Sequence, residues 1–173
     1  MSTDEALRYP IGIYEPPATI DGAQRSVWLD DVREFPQLFR SAASDVDLSV
    51  PYRPGGWTGL QVVHHVADSH LNSYVRFKLA LTEDVPTIKP YDEALWAKLG
   101  DTASTPAEVS LVFLEMLHHR WVNLLESMSD ADWSRKFRHP EIGEIDLSYT
   151  LGLYSWHGRH HLGHLSLLRR NVA

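Results

Sequence analysis

Links rich in proline and glycine divide this 173-residue chain into four long stretches, and no other feature constrains its fold so strongly. Pro51-Tyr-Arg-Pro-Gly-Gly56 holds two prolines and two glycines in six residues, a composition suited to tight turns and little else. Pro86, Pro90 and Gly100 interrupt positions 82–105 and leave room for one short helix around Asp92 to Leu99. His139-Pro-Glu-Ile-Gly-Glu-Ile-Asp-Leu147 reads as a turn or small hairpin. Between these links apolar residues recur at helical spacing. The first stretch, Asp21 to Ser44, carries Val27, Val32, Phe35, Leu38 and Phe39, with Asp21 placed to cap it and Pro36 to kink it. The second runs from Thr58 to about Leu81. Thr105-Pro-Ala-Glu108 has the form of a capping box with proline at the first helical position, which predicts a third helix to about Met128. Ser148 is placed to cap a fourth, running to about Asn171. Four long helices without an alternating strand pattern predict an all-α four-helix bundle over residues 1–173 as one domain. Pro10, Pro16 and Pro17 predict that residues 1–20 form an extended arm lying on that domain rather than a helix.

Composition removes several functions. The chain contains no cysteine, so any metal must take nitrogen or oxygen ligands, and a cysteine nucleophile or dithiol centre is excluded. A formal net charge of −7 with scattered Lys and Arg argues against a nucleic-acid partner. No run approaches the roughly 20 apolar residues that span a bilayer, and Met1 to Tyr14 lacks the apolar segment of a signal peptide, so the expected location is the cytoplasm. No Gly-x-Ser-x-Gly elbow is present.

Ten histidines remain to be explained, most of them in three short segments. Trp156-His157-Gly-Arg-His160-His161-Leu-Gly-His164 lies in the last helix. Residues i and i+4 share a helix face, so His157 and His161 can aim at one point. His164 stands roughly 10.5 Å along the axis from His157, too far for all three to share an ion comfortably. A third ligand is therefore expected from a facing helix, and the second helix offers His64-His65 and His70. His64 and His65 point about 100° apart, so one of them can face the last helix, and periodicity does not choose between them. Asp68 could hold the second nitrogen of His65. A lone helical histidine is ordinarily a packed residue, and His118 and His119 in the third helix, like His160 and His164, carry packing, surface or pocket readings equally well. Trp57, Trp121 and Trp156 read as core.

Longer blocks carry a resemblance. Tyr9-Pro-Ile-Gly12, Pro51-Tyr-Arg-Pro-Gly-Gly-Trp-Thr58, Val62-Val-His-His-Val-Ala-Asp-Ser-His70, Asn72-Ser-Tyr-Val-Arg-Phe-Lys78, Pro90-Tyr-Asp92, Leu117-His118 with Arg120-Trp121, and Gly152-Leu-Tyr-Ser-Trp-His157 with His160-His161 resemble a YfiT-like member of the DinB superfamily nearly end to end. The resemblance implies a four-helix bundle, generally a homodimer, holding one divalent metal on three histidines. The ligand eight residues after the motif tryptophan falls on His65, and the paired ligands of the last helix fall on His157 and His161.

Three neutral imidazoles leave a divalent ion an open position, the arrangement of a catalytic site. Imidazole ligands suit zinc, with nickel next. Such a site can activate water, which makes a metal-dependent hydrolase acting on a small molecule the leading expectation. The alternative is an S-transferase presenting a low-molecular-weight thiol to electrophiles, since some relatives of the resembled family transfer thiols. A metal-binding protein without turnover and a purely structural bundle stand behind these. No general acid or base is singled out by spacing.

Overall fold

A computed structural model describes residues 3–169. Its elements in chain order are α1 (Thr3–Arg8), α2 (Gly22–Ser44), α3 (Gly59–Thr82), α4 (Glu93–Trp96), α5 (Gly100–Ser104), α6 (Ala107–Glu126), α7 (Asp130–Trp133), β1 (Lys136–His139), β2 (Gly143–Asp146) and α8 (Leu147–Arg169). The four long helices form the bundle that the breaker pattern predicts. α2 packs on α6 and α8, and α3 packs on the same two, so α2 and α3 stand across the core from each other although they follow one another in the chain. That order sets α3 beside α8, and it brings the second histidine segment next to the last.

Caps start the first two long helices. The Asp21 carboxylate accepts from the Gln24 N–H at 2.8 Å, and Thr58 and Gln61 form a reciprocal capping box, contacts worth about 1 kcal/mol each. The box expected at Thr105 does not form. Thr105 closes α5 instead, its N–H bonded to the Asp101 carbonyl, while its own carbonyl receives a hydrogen bond from His64. α6 therefore starts after Pro106 without a side-chain cap, and Glu108 pairs with Arg40. At α8 the cap is Asp146, whose carboxylate accepts from the Tyr149 N–H, rather than Ser148. Asn171 lies outside the described residues. The hairpin expected near residue 140 exists as β1 paired antiparallel with β2, starting three residues early at Lys136.

The predicted arm is helical at its beginning: Thr3–Arg8 forms α1, and its prolines act only beyond it. Pro10 packs where Gly163 of α8 leaves space, a Cβ there falling 2.8 Å from the proline ring. Gly158 admits Phe35 of α2 in the same way. Glycines on α8 thus let other segments approach its backbone closely.

Two apolar clusters fill the bundle. Trp28, Phe77, Trp121 and Leu151 anchor one, and Phe39, Val62, Leu114 and Leu165 anchor the other. His70 and His118 lie between them, touching Phe35 on one side and Trp121 on the other. Trp121 is core as expected, whereas Trp57 and Trp156 are half-buried and line a cavity. Among the described residues no helix is long and apolar enough to cross a membrane.

Candidate metal centre

α3 delivers His65 and α8 delivers His157 and His161 to one point, where one nitrogen from each lies within 4.8 Å of the others. His161 is buried, and His65 and His157 keep partial access to a cavity of about 600 Å³. The His65 ring packs on Trp57 with centroids 4.7 Å apart. A second grouping, His160, His161 and His164, shares His161 and comes from α8 alone. His64 is directed elsewhere, bonded through its two ring nitrogens to Ser110 and the Thr105 carbonyl.

The protons in this cluster can be placed from its ends. Pro36 has no N–H, so the carbonyl of Val32, four residues earlier in α2, has no helical partner. His118 fills that vacancy: its Nδ1 lies 2.7 Å from the Val32 oxygen. A carbonyl can only accept, so His118 Nδ1 carries the proton and its Nε2 is a lone pair. That lone pair stands 2.7 Å from His70 Nδ1, which must donate, and His70 Nε2 then accepts from His157 Nδ1 at 3.1 Å. The relay leaves His157 Nε2 as a bare lone pair. It requires neutral rings, and burial supplies them: it holds His118 down to about 4 and His70 and His157 well below the usual histidine range, neighbouring histidines adding to the last two.

The other side is fixed by α1. His164 Nε2 donates to the Arg8 carbonyl at 3.1 Å, so His164 Nδ1 is a lone pair, facing His161 Nδ1 at 3.2 Å. His161 Nε2 faces His157 Nε2, also at 3.2 Å. Neutral His161 has one proton and two lone pairs to satisfy. When that proton binds His164, two lone pairs oppose each other between His157 and His161, an arrangement that a cation relieves. The donor set therefore fits a metal: neutral nitrogens, oriented by hydrogen bonds on their far sides, converging beside a cavity.

Some sequence expectations are redirected. Among the described residues no hydrogen bond joins Asp68 to His65. The Asp68 carboxyl is half-buried and is raised to about 6 by burial and by Asp101. The supports that exist are histidines, His70 behind His157 and His164 behind His161. His118 is a packed residue that terminates the relay, and His119 is exposed. Arg76 lines the cavity, while Arg159 pairs with Asp31 and Tyr74 packs against Lys78 and Arg120.

The sequence profile of the DinB superfamily matches residues 30–165. A Bacillus cereus protein named "Putative metal-dependent hydrolase" is 52% identical over 169 residues, 96% of this chain and 97% of that protein. A Bacillus mycoides protein of the same description gives the same figures. The solved structure of YfiT from Bacillus subtilis, described as "a probable metal-dependent hydrolase with an unusual four-helix bundle topology", superposes with a TM-score of 0.93 at 44% identity, covering 96% of this chain and 98% of that one.

Proposed function

The chain belongs to the DinB superfamily, and on that premise we propose that it is a metal-dependent hydrolase-type enzyme whose ion is held by His65, His157 and His161. The observation that carries this reading is the pair of Nε2 atoms of His157 and His161, 3.2 Å apart beside a third imidazole from another helix and open to a cavity. The grouping with His160 fits less well. All three of its members come from α8 alone, although they too line the cavity, and an ion between His161 and His164 would remove the bond that orients His161.

A divalent ion bound there, zinc first and nickel next on ligand chemistry, supplies Lewis acidity able to activate water near neutral pH and to polarise a carbonyl. The chain's own residues do the positioning. His70 and His164 hold two ligand rings by their far nitrogens, Trp57 packs the third, and the cavity has the size of a small-molecule site. No thiol comes from the protein, so an S-transferase would have to bind its thiol from solution.

Elemental analysis of purified protein tests the ion: about one equivalent per chain is expected, falling close to zero in the His157→Ala/His161→Ala variant. Retention of the parental metal content in that variant overturns the ligand assignment. Assay of metal-loaded protein with a panel of esters and amides, and separately with thiols plus a bimane electrophile, tests the reaction. Conjugation without hydrolysis overturns the hydrolase reading in favour of thiol transfer.

The expected homodimer has a surface to rest on. Val109, Val112, Phe113 and Met116 are exposed at i, i+3, i+4 and i+7 of α6, an apolar stripe turned away from the core, and α3 beside it exposes Leu71 and Val75. Sedimentation equilibrium is expected to give a dimer that Phe113→Glu converts to monomer. A parent that sediments as a monomer refutes this.

A further inference from the structure

The cavity beside the three histidines runs against the charge of the whole chain. The protein carries a formal net charge of −7, yet Arg8, Arg53 and Arg76 line this one cavity against a single lining carboxylate, Glu93. Arg76 is half-buried and, among the described residues, makes no ion pair and no hydrogen bond. A partly desolvated guanidinium whose charge reaches Tyr91 but whose five donors make no hydrogen bond among the described residues can receive a carboxylate or phosphate.

Arg53 is built into the same wall. It comes from the Pro51–Gly56 turn, and Gly56 makes space for it, since a Cβ there would stand 2.7 Å from the Arg53 side chain. Its guanidinium lies over Tyr52, whose ring stacks on His164 at 4.0 Å, the histidine that orients His161. One Arg53 nitrogen bonds Asp4 and the Pro54 carbonyl, but its buried Nε has no partner. The proline- and glycine-rich turn of the sequence therefore fixes a positive group at the edge of the candidate centre.

We infer that the substrate is a small molecule with an anionic tail, received by Arg76 with Arg53 beside it, and a reacting group several atoms away that faces the three histidines. This rests on the proposed metal site and specifies its substrate class. Spacing sets the length. Arg76 follows His65 on α3 by close to three turns, about 16 Å of rise, and so lies on nearly the same face. Arginine side chains on helices lean back toward the N-terminus, which shortens the gap between guanidinium and histidines. A tail separated from the reacting group by about four to six carbons spans what is left.

Binding of simple acids tests this without turnover. Cobalt-loaded protein is titrated calorimetrically with hexanoate, adipate and 5-phosphonopentanoate. These share one carboxylate able to meet the ion and differ in the far end, which is methyl, carboxylate or phosphonate. We expect at least tenfold tighter binding of adipate or the phosphonate than of hexanoate, the better of the two identifying the preferred anion. Arg76→Met is expected to erase most of that ratio, and Arg53→Met part of it, with hexanoate unchanged. A parental ratio below threefold, or a ratio that Arg76→Met leaves intact, overturns the inference while the metal site stands. Should the protein retain no cobalt, the metal reading fails separately. Thermal stabilisation of that same protein by adipate over hexanoate, present in the parent and lost in Arg76→Met, then upholds the arginine site, and equal stabilisation overturns it.

Discussion

Replacing His118 separates the two things its ring does. Its Nδ1 satisfies a carbonyl that Pro36 leaves without a helical partner, and its Nε2 forces His70 to donate toward it, so that His70 can accept from His157. His118→Leu removes both. The Val32 carbonyl and His70 Nδ1 are then buried without partners at roughly 1–3 kcal/mol each, so unfolding free energy should fall by about 2–5 kcal/mol after some gain from the apolar leucine. The consequence for the metal is distinct. Without a fixed acceptor His70 can move its proton to Nε2 and push His157 into the tautomer whose Nε2 is protonated and cannot bind an ion. Loss of such supporting partners costs about 10–100-fold in affinity, or roughly 1.4–2.7 kcal/mol. His118→Gln keeps the essential element, because its amide oxygen can still only accept from His70, while it serves the Val32 carbonyl poorly. The glutamine variant should therefore lose stability but bind metal within about threefold of the parent. Competition with a fluorescent zinc chelator measures the affinity, and urea unfolding of metal-free protein measures the stability. If His118→Leu binds zinc as tightly as the parent, or if both variants lose affinity equally, the relay does not govern the site.

Further outcomes follow from the same contacts. Pro36→Ala restores a backbone N–H that competes with His118 for the Val32 carbonyl, so metal affinity should fall several-fold without loss of helix stability; an unchanged chelator titration refutes it. Gly158→Ala places a Cβ 2.8 Å from Phe35, which stacks on His70, and should destabilise by about 1–3 kcal/mol in urea; a neutral change would mean that Phe35 is free to shift. Metal-free protein should lose stability in acid. Burial holds His118 at about 4, below the histidine value of the unfolded chain, so between about pH 6.5 and 4 the unfolded state binds the extra proton and stability falls with pH, by about 1.4 kcal/mol per pH unit for this group alone. Unfolding curves that coincide at pH 7 and pH 5 contradict that.

The bundle was legible because its signals are local. Asp21, Thr58 and the turn at residues 51–56 act within a few positions of themselves, and the breaker clusters stand close to where the long helices stop. Local signals also misled. The Thr105 pattern has every residue of a capping box, but the chain arrives there from α5 with the Thr105 backbone already engaged on both sides. α1 was hidden because six residues carry too little periodicity to outweigh the prolines that follow it. At the candidate site, helical spacing and the resemblance together name three histidines that the fold brings to one point. Their supports could not be read in the same way. The relay joins positions 32, 70, 118 and 157 on four different helices, and the signal that could have exposed it, a proline four residues after an otherwise bonded carbonyl, looks in one dimension like an ordinary kink.

The hydrogen bond from His164 to the Arg8 carbonyl has a consequence for biosynthesis. Ribosomes release α1 early and α8 after every other described element, yet the orientation of His161 draws on both. Translation must pass the final helix before the centre can close. Nascent chains halted before Leu147 should emerge without metal whatever divalent ion they encounter.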